Sequence, residues 1–219
     1  KPHWNAVQMD QTALPVILIH LSRLYGTIQQ GALGCYCLTV KQALSFIVTH
    51  GPYTEQDRWE RDGGLSIFTV ATEIAALLAG ADFADENGES DVARYCRQTA
   101  DCWNTHLEQW FYVTGSPLAL QCGVKGHYIR LNHEGMPAMA MKDTQIEVHN
   151  RPPETCRLAA WDMVSPDALA LVRFGLRAAS DPRIRDTITV IDRTLKVQTP
   201  YGPSWRRYTM DGYGEHDDG

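Results

Sequence analysis

The sequence predicts a mainly α fold built of paired helices, with a small β-rich insertion near residues 114–153. Three observations carry that reading. Apolar residues recur three and four apart in four stretches before residue 111, the period of a helix buried along one face. Two later segments, Ser165-Pro166-Asp167 and Asp181-Pro182, set a capping residue before a proline, which is a helix-start design. Between these regions the period is lost, and proline and glycine become frequent. Consecutive helices of this length build either an α-solenoid or an α/α toroid. In a toroid the loops at one rim carry the site, and the helix stripes carry the packing.

The first helix takes Leu14, Ile17, Leu18, Leu21 and Leu24 as its stripe. Pro15 is expected in its first turn, where a missing N–H costs little, and Gly26 ends it. The second runs from about Cys37 to Thr49 with Val40, Ala43, Leu44 and Ile47 inward, until His50-Gly51-Pro52 stops it. A polar loop holding Trp59 follows. Ser66 then stands as the N-cap of a third helix, whose stripe is Ile67, Val70, Ala71, Ile74, Leu77, Leu78 and Ala81. After a turn at Asp85-Glu86-Asn87-Gly88, a fourth helix from near Ser90 aligns Ala93, Cys96, Ala100, Trp103, Leu107 and Trp110, with both tryptophans read as core. Residues 127–131 and 145–149 read as short strands. A fifth helix carries Leu169, Val172 and Leu176. A sixth carries Ile184, Ile188, Ile191 and Leu195 and stops at Thr199-Pro200, and residues 202–219 have loop composition.

Composition narrows the function. Of the 219 residues, 44% are hydrophobic and 21% charged, values that fit a globular protein with a real core. A net charge of −6 without a basic tract argues against nucleic acid or an anionic membrane surface as partner. No apolar run of bilayer length is read, so no membrane span is expected. The chain starts at Lys1 without a signal-peptide pattern, as a processed or excised segment does. Cys35, Cys37, Cys96, Cys102, Cys122 and Cys156 lack metal-ligand spacing and are read as buried free thiols, with disulfides left open. His3, His127, His133 and His149 show no metal spacing either, and residues 211–218 lack the EF-hand ligand order. Neither metal nor cofactor is expected. No Ser-His-Asp order, phosphate loop or dinucleotide fingerprint appears.

The candidate site is the loop Glu55-Gln56-Asp57-Arg58-Trp59-Glu60-Arg61-Asp62-Gly63-Gly64. On composition alone Trp59 is a loop plug, Glu60 a solvated charge, and Arg206-Arg207 a solvated pair. A second reading is chemical. A carboxyl beside an indole loses water, which favours its protonated form and equips it to donate a proton. Aromatic rings in loops beside carboxylates and arginines also suit sugars, whose C–H faces stack on indole while their hydroxyls take paired hydrogen bonds. Trp4, Trp59, Glu60, Trp205, Arg206, Arg207, Tyr208, Asp211 and Tyr213 form that set.

Four stretches in order favour the second reading. Gln56-Asp57-Arg58-Trp59-Glu60, continuing through Gly64-Leu65-Ser66 to Ala71-Thr72-Glu73-Ile74-Ala75-Ala76-Leu77, resembles the general-acid segment of bacterial glucoamylases and glucodextranases, glycoside hydrolase family 15. Trp4-Asn5-Ala6-Val7-Gln8-Met9-Asp10 with Ala13-Leu14-Pro15 resembles a rim loop and helix start. Leu195-Lys196-Val197-Gln198-Thr199-Pro200 is similar to the stretch before the family's arginine loop, and Trp205-Arg206-Arg207-Tyr208 through Asp211-Gly212-Tyr213-Gly214-Glu215 resembles that loop itself.

The resemblance implies that residues 1–219 are the central part of one catalytic domain, within an (α/α)6 toroid. It implies exo-acting hydrolysis of α-glucosidic bonds from the non-reducing end, with inversion, on an α-glucan or gluco-oligosaccharide. Glu60 would be the general acid, Trp59 its wall, Arg207 the grip on the terminal glucose and Trp4 a further sugar wall. An extracellular or periplasmic place is favoured. Two departures follow. Arg61 stands where the family carries a second acidic residue, and a guanidinium there favours the ionised form of its neighbour. The family's catalytic base lies downstream of Asp211-Gly212-Tyr213-Gly214-Glu215, so the chain is expected to be inactive alone. Its helix faces are expected to need the rest of the domain, or another chain, to cover them. The rival readings are a trehalase or isomaltose-type specificity on the same barrel, and a non-catalytic saccharide-binding or structural helical module.

Overall fold

The helical period of the first hundred residues becomes four long helices in the computed structural model, which describes residues 6–28, 33–148 and 151–212, with side chains at 33–36 set aside. Residues 1–106 and 107–219 form two compact units.

The first unit holds α1 (Met9–Leu24), α2 (Leu33–His50), β1 (Leu65–Ser66), α3 (Ile67–Glu86) and most of α4 (Ser90–Phe111). α3 is its core. Ile67, Val70, Ala71, Ile74, Leu77 and Ala81 are buried as expected, but so are Phe68, Ala76, Phe83 and Ala84, while Leu78 is exposed. A helix apolar on every side fills the space between neighbours instead of presenting one stripe. By length and composition α3 is also long and apolar enough to cross a bilayer, which corrects the sequence expectation; most of it lies buried inside the protein. Ser66 precedes the helix, yet its side chain makes no capping bond.

α1 overturns its predicted face. It starts at Met9, so Pro15 lies in the interior, on the solvent side. Met9, Ala13 and Val16 are buried, whereas Leu14, Leu18, Leu21 and Leu24 are exposed and Ile17 is half-buried. α1 is apolar on two faces, and the one with small residues approaches α3. In α2, Val40, Leu44 and Ile47 are buried and Ala43 half-buried. Leu44 fits over Gly80 of α3, where a β-carbon would collide with its side chain. α4 keeps its predicted stripe: Ala93, Cys96, Ala100, Trp103 and Leu107 are buried, and Trp110 is half-buried. Arg97 of α4 pairs with Asp82 and Asp85 of α3, and Lys41 of α2 with Glu89; exposed pairs of this kind add little to stability.

In the second unit β2 (Tyr112–Thr114) pairs antiparallel with β3 (Gly126–Tyr128), Val113 facing His127. Between them lies a short α5 (Pro117–Gln121), unforeseen in the sequence and capped by the Ser116 hydroxyl, which accepts from the Ala119 N–H. After β4 (Leu131–Asn132), β5 (Gln145–Glu147) pairs with β6 (Arg157–Ala159), Ile146 opposite Leu158. The predicted fifth helix is corrected. Ser165 does cap the segment, but Pro166–Leu169 is a 3-10 turn, α6 (Ala170–Arg173) adds a single turn, and Gly175 at φ 74° leaves the helical region. α7 (Pro182–Thr194) stops short of Thr199, and its expected inward Ile188 is exposed. β7 (Lys196–Thr199) and β8 (Gly202–Trp205) form an antiparallel hairpin where a helix end and a loop were expected.

Cys122, Val164, Val190, Ile191 and Leu195 form a core cluster, with Leu118 and Val124 against it. Glu108 takes a bidentate pair from Arg177, an ion pair from Arg183 and the Tyr128 hydroxyl at 2.6 Å. The cysteine expectation holds for Cys96, Cys122 and Cys156, which are buried and free; it fails for Cys102, which is exposed, and Cys37, which is half-buried. The side chain of Cys35 lies outside the described residues.

Candidate active site

Asp57 organises the loop before β1. It is fully buried, and its Oδ1 accepts the backbone N–H of Trp59 at 3.1 Å and of Arg61 at 3.2 Å. Its carbonyl accepts the Glu60 N–H and the side-chain amide of Gln8, while its own N–H donates to Asp62. An aspartate that bonds the backbone two and four residues on converts an open stretch into a fixed turn. That turn holds Glu60 at φ 58°, a left-handed conformation uncommon for a residue with a side chain. Such backbone persists only where its surroundings over-determine it, and it gathers at functional sites.

The loop is in turn stitched to the start of α1. Val7 donates its N–H to the Glu55 carboxylate, and its carbonyl accepts the N–H groups of Glu55 and Gln56. Met9 donates to the Thr54 hydroxyl, and Thr54 bridges Gly64 in both directions. Residues 7–9 and 54–64 therefore form one hydrogen-bonded seam, although forty-odd positions separate them in sequence.

Trp59 is half-buried and Glu60 exposed, so the indole by itself does not remove water from the carboxyl. The Arg58 guanidinium lies 4.7 Å from the centre of the Trp59 ring and 4.1 Å from that of Phe68, so one face of the indole meets a cation. Arg61 makes no ion pair with Glu60. Its guanidinium does not hold the carboxylate in the way the adjacent sequence positions suggested.

In the second unit Arg207 is clamped by Asp211, Nε to Oδ2 at 2.7 Å and Nη2 to Oδ1 at 2.8 Å. Asp211 is buried, and the loop around it is fixed. The Arg207 carbonyl accepts the Ser165 hydroxyl, Thr209 bonds Asp162 and Val164, and Arg151 donates to the Met210 carbonyl. Among the described residues, Met210 is the other one with a side chain held at positive φ, 62°. Tyr208 is not a sugar wall. It is buried, with the buried Arg130 guanidinium 4.3 Å and that of Arg207 5.4 Å from its ring centre. Trp205 stands on β8, its indole N–H donating to Asp192 at 2.8 Å and Lys196 5.3 Å from its ring. Arg206 is exposed.

Trp4 and Tyr213 lie outside the described residues, as do His3 and His149. His127 is buried with Nε2 on the Trp161 carbonyl, and burial pushes its pKa below the usual histidine value. Among the described residues no group of three or more His, Cys, Asp or Glu could hold a metal ion. Sequence reasoning missed the role of Asp57. The signal present was an Asp followed at the second position by a residue whose backbone N–H can donate to it, the pattern of a local side-chain turn.

The chain matches the family described as Glycosyl hydrolases family 15 over residues 1–219. It is 37% identical over 218 residues to a glucoamylase of Clostridium sp. (strain G0005), covering 98% of this chain and 28% of that protein. A crystal structure of a bacterial glucoamylase complexed with acarbose superposes with a TM-score of 0.82 at 36% identity, covering 98% of this chain and 29% of that one. The chain thus spans less than a third of the relatives it matches. Its fold is mainly α, part of an (α/α)6 toroid of paired helices. It belongs to glycosyl hydrolases family 15.

Proposed function

We propose that this chain carries the acid half of an inverting, exo-acting α-glucoside hydrolase, with Glu60 as general acid. The observation that carries the reading is the turn anchored by Asp57, which holds Glu60 exposed and in strained backbone beside a half-buried indole. Residues 1–219 are then the central part of one catalytic domain. Trp59 and Trp4 are its sugar walls, and Arg207, pre-oriented by Asp211, binds the terminal glucose through a fixed fork of donors. The glucoamylase with acarbose bound supports a saccharide-type ligand for this chain as well.

Protonation of the glycosidic oxygen by Glu60 releases the leaving sugar as charge develops on the ring. Inversion also needs a carboxylate base on the opposite face, about 6.5–9.5 Å from the acid, leaving room for the attacking water. None of the described residues is assigned that role, and we propose that the 219-residue chain is inactive without it. In the full-length protein, Glu60→Gln lowers turnover of maltooligosaccharides by about 10²–10⁴-fold, the usual contribution of a positioned acid, and leaves saccharide binding intact. Hydrolysis of α-glucosyl fluoride, whose leaving group needs no proton, falls far less. Equal losses on both substrates reject Glu60 as the acid. Saccharide binding without turnover by the unsubstituted full-length protein identifies a binding module instead.

A further inference from the structure

The guanidinium of Arg207 is only as fixed as the loop that carries it. The Asp211 N–H donates to the Tyr208 carbonyl at 3.2 Å, which closes residues 208–211 into a turn. Met210 is the third residue of that turn, at φ 62°. Positive φ at this place is a glycine or asparagine setting, so a methionine stays there only where other contacts hold the backbone. The turn brings the buried Asp211 back onto Arg207, whose Nε and Nη2 donate to its carboxylate at 2.7 and 2.8 Å.

A contact that meets this turn comes from far away in the sequence. Arg151, in the segment between β5 and β6, donates from Nε to the Met210 carbonyl at 2.8 Å and from Nη2 to the Asp211 carbonyl at 3.5 Å. Thr209 ties the same turn to Val164. A planar guanidinium that reaches two successive carbonyls fixes their direction, which a point charge on a flexible stem does not. We propose that Arg151 is a positioning residue for the sugar site. It pins the strained turn, the turn aims the Asp211 carboxylate, and Asp211 sets the direction of the Arg207 guanidinium. The β5–β6 hairpin thereby serves the site, although Arg151 itself need not touch saccharide. The proposal rests on the reading of Arg207 as the arginine that binds the terminal glucose.

The test compares Arg151→Met, Arg207→Met and the double variant in the full-length protein, with maltotriose as substrate. Arg151→Met should raise KM by about ten- to a hundredfold, as displacement of a binding group by an ångström does. It should change kcat far less, because a group that holds ground state and transition state alike acts on KM. The double variant should be no worse than Arg207→Met, since a pin has no effect once the group it aims is gone. An unchanged KM in Arg151→Met overturns the proposal. So does a double variant whose loss is the product of the two single losses, which places the effect of Arg151 outside Arg207. Amide exchange at Asp211 separates the pin from the reading it rests on. It should accelerate in Arg151→Met whether or not Arg207 binds sugar, and unchanged exchange overturns the pin. Faster exchange together with an unchanged KM in Arg207→Met instead rejects the role of Arg207, and the aiming with it. Arg151→Lys, which keeps the charge and loses the fork, serves the same comparisons if Arg151→Met does not fold.

Discussion

Replacing Asp57 by alanine tests whether the turn that presents Glu60 is built by one side chain. Oδ1 of Asp57 takes two backbone N–H groups, from Trp59 and Arg61, and the residue is fully buried. A hydrogen bond to a charged acceptor contributes about 1.5–3 kcal/mol, so two bonds to one oxygen set an upper figure of about 3–6 kcal/mol. Both donors sit on half-buried residues that water can reach, which lowers the expected loss for Asp57→Ala to about 2–4 kcal/mol. Asp57→Asn keeps an acceptor of the same shape and should lose about 1 kcal/mol, because the bonds become neutral. The assay is urea unfolding of both variants, with amide exchange at Trp59, Glu60 and Arg61 as the local readout. Exchange should accelerate at these three positions in the alanine variant and remain near its original rate at the centre of α3. A loss below about 0.5 kcal/mol with unchanged exchange refutes the reasoning, since the turn would then be held by other contacts.

Three further outcomes are expected. Gly80→Ala drives a methyl into Leu44 and should destabilise the chain by about 1–3 kcal/mol; pairing it with Leu44→Ala should recover part of the loss, and strict additivity of the two would show that they do not meet. Glu108 is subject to burial, which alone would raise its pKa, but hydrogen bonds from Arg177 and Tyr128 and the charge of Arg183 hold it below the ordinary value. Its contribution to stability is therefore present above the ordinary glutamate range and disappears as pH falls below it, so Glu108→Gln should abolish that part of the acid-side slope in thermal melts. Leu18→Glu with Leu21→Arg on the outward face of α1 should reduce self-association in sedimentation velocity without lowering the melting temperature, and a drop in melting temperature would mean that this face is internal packing.

Much of the helical content was legible because it is local. The stripe of α4, from Ala93 to Leu107, has one apolar face, and any globular fold must bury that face. The capping pattern at Asp181-Pro182 started α7 at the expected residue, its carboxylate accepting the Arg183 N–H. The same signal at Ser165-Pro166 also formed its cap. Even so, it yielded a 3-10 turn and one helical turn, because a cap opens a helix but does not supply the packing that prolongs it.

The sequence by itself determined that the chain is mainly helical, where most of the long helices run, and which short stretches carry the likeness to glycosyl hydrolases family 15. Only the tertiary structure decided which side of α1 faces inward, since Met9-Ala13-Val16 and Leu14-Leu18-Leu21 are both apolar and the choice rests on how closely α3 can approach. It also decided that Lys196–Thr199 and Gly202–Trp205 pair as a hairpin, a partnership absent from the composition of either stretch alone. It fixed Asp57 as the anchor of the Glu60 turn and joined that loop to residues 7–9. Hydrogen bonds and buried charges link positions far apart in sequence, and which pairs meet is set by packing that no local period encodes.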